Sequence, residues 1–449
     1  MSKYSDLMSE LIEKNSTRLR VKCANIVLAF GAIFFAAGTA SAVYKIVSHS
    51  WTFHEIPIFF SLVVVVGAIA TTLLSYALRL RDERKINLAL ILVSIFVPIF
   101  SFEAYHQLSI ETPPSLEQNN SPVYPNYFPQ FLLDSSLTTP GGEIFPLGGI
   151  SNTTTTLGNE NGYYAVVETD QHGFNNQDVI YKRGAVEIVI IGDSFAEGYS
   201  VYPNQNIGAV LRTLGHHTIS LGKGGSGPLL ELAIVKEYAA ILQPKIVVWL
   251  YYVNDLANLN HELESRFIRK YLTENNFSQN LIERQSEIDS SLKKFVGNEV
   301  KNYRKRKHNV FIRIIKFEYL RKMFDLLVNT GRSNDYAGLP SPESESTFKT
   351  ILKTTDQLVS GWDGSLYFVY LPSIFYNSDP SEITLHKFVL ATVADLGIPI
   401  IDIQEDVFRH HSDPLSLFPY RRPGHYNAKG YRLVAETISR RVRNDFVSR

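Results

Sequence analysis

Apolar residues are distributed along this chain in two different ways. Up to residue 105 they form three long, almost charge-free runs, Cys23–Val47, Ile56–Leu78 and Ile86–Tyr105. A helix needs about 20 apolar residues to cross a hydrocarbon layer of roughly 30 Å, and each run is long enough. Pro57 and Pro98 fall inside them, where a membrane helix tolerates proline. Beyond residue 185 the apolar runs are short and β-branched, as expected of strands buried on both faces. "AVEIVIIG" (185–192), "HTISLG" (217–222), "KIVVWLYY" (245–252), "SLYFVYL" (365–371) and "IPIIDI" (398–403) are of this kind. Helical patterns fill the intervals, at 205–214, 228–242, 346–360 and 381–396, with a last one at 428–445. Such alternation predicts a parallel sheet wrapped by helices, in the flavodoxin-like strand order 2-1-3-4-5.

Charge adds a direction to the membrane reading. Lys3, Lys14, Arg18, Arg20 and Lys22 precede the first run, and Arg79, Arg81, Arg84 and Lys85 follow the second. The turn 48–55 has neither Lys nor Arg, and none occurs between Ile86 and Tyr181. Positive charge marks the cytoplasmic side. The expected plan is a cytoplasmic N-terminus (1–22), three transmembrane helices (23–105) and an extracytoplasmic remainder. A signal peptide fits poorly, since the first run is too long and two more follow. The lone cysteine, Cys23, lies at a membrane edge, so the outer domain has no disulfide to lean on. Lys plus Arg equal Asp plus Glu at 44 each, which gives no reason to expect a nucleic-acid partner.

Residues 106–164 are rich in Pro, Ser, Thr, Asn and Gly and read as a linker or irregular cap. Asn152-Thr153-Thr154 is a formal glycosylation sequon, of consequence only if the source glycosylates. The α/β domain spans 165–449, and a helical insertion of about 256–345 interrupts it between the third and fourth strands. Its stretch "KNYRKRKH" is either a solvated helix face or a contact for lipid headgroups or an anionic glycan.

In an open parallel sheet, ligands bind beyond the carboxyl ends of the strands. The first strand ends in "GDSF", with Ser194, and the second in the glycine loop "SLGKGGSGP", with Gly225. The third ends in "YYVND", with Asn254, and "GHYNAKGY", with His425, precedes the last helix. These residue types suit acyl transfer. A serine hydroxyl needs an adjacent base, which His425 can supply. The oxyanion needs donors, which the backbone N–H groups of Ser194 and a loop glycine and the amide of Asn254 can supply. Gly222, Gly224 and Gly227 also spell G-x-G-x-x-G, but a dinucleotide loop belongs after the first strand of its unit, and here that strand ends in the serine. No His/Cys cluster has metal-ligand spacing, and no cofactor is expected. Lys223 reads as solvated, and His172 as structural.

These four blocks, in this order, resemble those of the SGNH (GDSL) hydrolase family. The resemblance covers roughly residues 165–445, the insertion excepted, and "ETDQHGFNN" (168–176) looks like the entry segment of membrane-anchored members. It implies catalytic Ser194 and His425, with Ser194, Gly225 and Asn254 as the oxyanion hole. It implies a membrane-anchored, extracytoplasmic serine esterase or acyltransferase acting on small acyl esters, such as acetyl, of an envelope or exported polysaccharide. An acyl donor in the membrane or a polysaccharide-export protein would be a fitting partner. A lipid esterase or lipase, and a non-catalytic glycan-binding or assembly protein, are the alternative readings. One position departs from the pattern. The family usually has Asp three residues before the histidine, and here Arg422 stands there. Three readings stay open: a Ser-His dyad with a backbone carbonyl orienting His425, recruitment of Asp413 or Asp406, or a degenerate site. His410 and His411 are rival bases outside any matching block.

Overall fold

The computed structural model describes residues 2–48, 58–109, 117–118, 121–122, 124–176, 181–308, 313–314, 317, 319–320 and 341–447. The chain divides into two compact units. One holds Met1–Glu111 and Asn309–Phe324, the other Thr112–His308 and Asp325–Arg449.

The first unit contains three helices, α1 (Ser2–Ser48), α2 (Ile58–Ala77) and α3 (Asp82–Ser109). The first apolar run is thus part of a longer helix that begins in the basic N-terminal segment. Among the described residues, Met8–Tyr44 and Asp82–His106 are long and apolar enough to cross a membrane, while Val63–Ala77 is a shorter apolar helix. Among the described residues two of the three expected spans meet the length, and the middle run is described as apolar over Val63–Ala77 of α2. Leu28, Ala32, Leu74 and Ala77 form a small shared core. A Cβ on Gly67 would come 2.2 Å from the Thr39 hydroxyl, which shows how closely α2 lies on α1. Large apolar side chains such as Ile26, Phe30, Ile33, Leu73 and Leu90 point outward and are more than half exposed. Glu103 is the exception in α3. It is fully buried, and its carboxylate accepts from the backbone N–H groups of Tyr319 (2.7 Å) and Leu320 (2.9 Å), residues of the insertion.

The second unit is built on five parallel strands: β1 (Ile188–Ile191), β2 (Thr218–Ser220), β3 (Ile246–Tyr251), β4 (Ser365–Tyr370) and β5 (Ile400–Asp402). Their spatial order is β2-β1-β3-β4-β5, as the alternating pattern predicts. Ile246 of β3 stands opposite Ile188 on one side and Ser365 on the other. Every residue of β1 and β3 is buried, which explains their unbroken apolar sequence. Helices observed at Ile207–Thr213, Pro342–Ser360, Pro380–Asp395 and Ala428–Val447 match the expected ones to within a few residues. The pattern at 228–242 is helical too, with one wider turn at Val235–Ala239.

The cap is not a bystander to this core. Tyr127, Leu132, Ile144, Phe145, Leu147 and Ile150 belong to the same buried cluster as the sheet. The entry segment 168–176 is a knot of hydrogen bonds. Asp170 accepts from the backbone N–H of His172 (2.8 Å) and of Phe174 (3.0 Å), and Asn176 clasps both backbone groups of Ser220 at the end of β2. Within the insertion, helices run over Asp255–Glu262, Arg266–Thr273 and Gln285–His308. The side chains of "YRKRKH", the greater part of its basic stretch, lie outside the described ones.

The central strand gives a direct test of the core. Leu250→Ala should cost about 2–5 kcal/mol, because Leu250 is fully buried with strands on both sides of β3. Denaturant unfolding of the detergent-solubilised chain checks this, and a loss under about 1 kcal/mol would place Leu250 outside the core.

Candidate active site

The turn after β1 sets the position of Ser194. Gly192 takes φ +145°, where a Cβ would come 2.8 Å from the Leu250 carbonyl oxygen. Asp193 then caps a single helical turn, Ser194–Glu197, by accepting from the Phe195 N–H at 2.9 Å. That places Ser194 at the first position of the turn, beyond the carboxyl edge of the sheet. Its Oγ lies 2.7 Å from Nε2 of His425. The loop before the last helix delivers that imidazole, and the rings of Phe195 (4.8 Å) and Tyr199 (4.7 Å) hold it between them. Serine and histidine, 231 residues apart, are thus brought within proton-transfer distance.

The other imidazole nitrogen is also occupied. Nδ1 of His425 lies 2.9 Å from Oε1 of Glu160, and the backbone N–H of His425 donates to Oε2 at 2.8 Å. The bidentate contact requires Gly424. Its φ is +149°, and a Cβ there would come 2.8 Å from Oε2. Burial pushes the Glu160 carboxyl up, but the hydrogen bonds and charge of His425 outweigh this and hold it below its usual value. Glu160 thus stands on His425 where the carboxylate of a triad would stand, a place from which it could fix the tautomer and support an imidazolium.

This corrects the readings of the Arg422 departure. The orienting group is neither a backbone carbonyl nor Asp413 nor Asp406. Asp413 is ion-paired with Arg421, and Arg422 is exposed. His411 bonds instead to the Asp413 N–H and to Lys429, and His410 is exposed. Sequence reasoning missed Glu160 because the cap carries no motif around it; its neighbours "GNENGYY" resemble any polar turn. The one usable signal was the missing carboxylate itself, which required a replacement from somewhere.

The oxyanion side is built from the next two strand ends. Gly225 follows β2 with φ +75°, a left-handed conformation that glycine adopts freely. Asn254 follows β3, and its side-chain amide helps hold down the Asp193 carboxyl beside Ser194. Burial pushes the Asp193 carboxyl up, against the pull of Phe195 N–H, His425 and Asn254. Lys223 corrects a second expectation. It is not solvated but buried, with Nζ 2.7 Å from Glu197 Oε1 and 2.9 Å from Asn126 Oδ1. Oε2 of the same Glu197 accepts from the Gly224 N–H at 2.9 Å. One buried ion pair therefore ties the nucleophile turn to the oxyanion loop and to the cap. His172 is buried at the entry segment between Gln171 and Gln285, away from the serine. Among the described residues no cluster of His, Cys, Asp and Glu could hold a metal ion.

No family model and no curated protein matches this chain. Solved structures similar to it include a lipolytic protein of the G-D-S-L family from Desulfitobacterium hafniense DCB-2, at 13% identity, covering 57% of this chain and 98% of that one with a TM-score of 0.33. An acylhydrolase from Bacteroides fragilis NCTC 9343 has 13% identity, 59% and 90% coverage and a TM-score of 0.31. The acetyl xylan esterase AlAXEase has 12% identity, 56% and 98% coverage and a TM-score of 0.31.

Two measurements follow from Glu160. Glu160→Gln should lower kcat by about 10⁴, the usual loss when a triad carboxylate becomes an amide, whereas Asp413→Asn and Asp406→Asn should stay within about tenfold of wild type. A collapse in either aspartate variant would overturn the assignment. The second is thermodynamic. A carboxyl whose folded pKa is depressed stabilises the protein above its unfolded pKa, and that contribution is lost as pH falls through the folded value. The melting temperature of wild type should exceed that of Glu160→Gln at neutral pH, and the gap should close below about pH 4.

Proposed function

We propose that the protein is a membrane-anchored serine esterase or O-acyltransferase whose catalytic unit lies outside the cytoplasm. Its substrates would be small acyl esters, acetyl above all, on an envelope or exported polysaccharide. The single observation that carries the catalytic part is the unbroken relay from Ser194 Oγ to His425 Nε2, and from His425 Nδ1 to Glu160.

The chemistry runs along that relay. His425 takes the Ser194 proton as Oγ attacks the ester carbonyl carbon. The carbonyl oxygen becomes an oxyanion facing the N–H groups of Ser194 and Gly225 and the Asn254 amide. Glu160 supports the imidazolium formed at this point. His425 then returns the proton to the departing alkoxide, and an acyl-serine remains. A water molecule or a sugar hydroxyl, deprotonated in turn by His425, attacks the acyl carbon, the bond to Ser194 Oγ breaks, and His425 returns the proton to Oγ. Water gives hydrolysis and a sugar hydroxyl gives transfer. Each oxyanion donor lost should cost about 3 kcal/mol of transition-state stabilisation.

The non-catalytic alternative would leave this alignment without a purpose, since a binding protein gains nothing from a histidine poised on a serine. Support for the membrane part comes from α1 and α3, which have spanning length, and from the Lys/Arg asymmetry around them.

Ser194→Ala should abolish turnover of para-nitrophenyl acetate and labelling by a fluorophosphonate probe. Labelling that persists in the variant would sink the nucleophile assignment. For orientation, a reporter active only outside the cytoplasm, fused after Arg449, should be active; a silent but well-expressed fusion would reverse the topology.

A further inference from the structure

Beside the Glu160–His425 pair, three loops bring tyrosines together at the surface. Tyr163 and Tyr202 stack face to face, their ring centroids 4.3 Å apart and their planes 7° from parallel. Tyr202 keeps 46% of its surface exposed. Tyr420 is 71% exposed and reaches the same loop from the other side. Its hydroxyl donates to the Asn161 carbonyl at 3.4 Å, and a Cβ on Gly162 would come 2.2 Å from that hydroxyl. The loop carrying Glu160 is itself fastened to the Tyr199–Tyr202 stretch, by Asn161 donating to the Ser200 carbonyl and the Glu160 N–H donating to the Ser200 hydroxyl. Hydrogen bonds thus join the tyrosine-bearing loops to the loop that carries Glu160.

The backbone under Tyr420 is unusual. Tyr420 and Arg421 both take left-handed conformations, with φ of 50° and 58°. Bulky residues seldom adopt that region, and two in succession need an outside reason to persist. The strain holds out a large aromatic ring that the core does not use.

We infer that Tyr420, with the Tyr163–Tyr202 pair, is a sugar-binding subsite that stacks a pyranose ring of the ester-bearing glycan next to Ser194. The inference rests on the esterase reading above and names what its substrate presents. A pyranose has one flat face of C–H groups and an edge of hydroxyls. It needs exposed aromatic faces with polar groups alongside, and Tyr420 offers these with Asn161, Arg421 and Arg422 close by in the same loops. An acyl chain of a lipid would need a walled apolar trough, and this rim is open and hydroxyl-bearing.

The full chain in detergent, carrying Ser194→Ala to prevent turnover, is titrated calorimetrically with acetylated xylotetraose and with chitotetraose. Saturable binding of at least one is expected. Tyr420→Ala should weaken it by about tenfold, the worth of one good aromatic contact, and Tyr420→Trp should restore it. Tyr420→Gly should bind as poorly as Tyr420→Ala while melting at the same temperature or higher, because glycine accepts the left-handed backbone. A purely structural tyrosine would not separate binding from stability in this way. Unchanged affinity in Tyr420→Ala, absence of binding to both sugars, or tyrosine-dependent binding to phosphatidylglycerol vesicles instead would overturn the subsite. The esterase reading is judged separately, by wild-type turnover of para-nitrophenyl acetate, which carries no sugar.

Discussion

A histidine that is to take a proton from a serine must have its second nitrogen held, and here the holder is 265 residues away in the chain. Glu160 can reach His425 only if the cap packs where it does. Its burial of Ile144, Phe145 and Leu147 in the core of the sheet unit therefore holds Glu160 on His425 as much as the sheet holds Ser194. The parallel sheet sets the other half of the constraint. With both faces covered, its carboxyl edge is the place where side chains can meet a ligand, and Ser194, Gly225 and Asn254 stand at three adjacent strand ends. The cap then closes over that edge in register with the glycine loop. Asn126 meets Lys223, Phe128 lies against Gly224, and the Gln130 side chain lies against Gly225.

What the sequence made legible follows from which interactions are local. Strand identity and order were readable because β1 and β3 are buried on both faces, and only unbroken apolar stretches survive there. The placement of Ser194, Gly225, Asn254 and His425 at strand and loop ends was readable because each sits in a short turn whose residues announce its geometry. Glu160 and Lys223 were not. A carboxylate that accepts a hydrogen bond from a distant histidine has no local signature, and a lysine in a glycine-rich turn looks like any solvated lysine. Both act across long sequence separations, and single-sequence patterns carry almost no information about such pairs.

The ion pair under the oxyanion loop has a cost that bears on why it is there. Burying two charges gains little net stability, and an apolar pair of the same shape would often serve the fold as well. Breaking one partner, by contrast, costs about 3–5 kcal/mol, because the other charge is left buried and alone. A device that stabilises little but penalises any displacement suits a part that must hold position. Glu197 ends the turn that begins with Ser194, and its second oxygen grips the Gly224 N–H next to Gly225. The charge pair thus fixes the spacing between nucleophile and oxyanion donor.

The same geometry explains why this loop imitates a dinucleotide fingerprint. Gly222 is pressed against the nucleophile turn, where a Cβ would lie 2.4 Å from the Glu197 N–H nitrogen. Gly224 is pressed against Phe128 at 2.3 Å, and Gly227 against Asn258 at 2.8 Å. Each of the three is small because something packs on it, and the fourth, Gly225, because its backbone is left-handed. A phosphate loop leaves its glycines bare so that a ligand can come near the backbone. Here protein occupies that space, and the spacing is a consequence of packing.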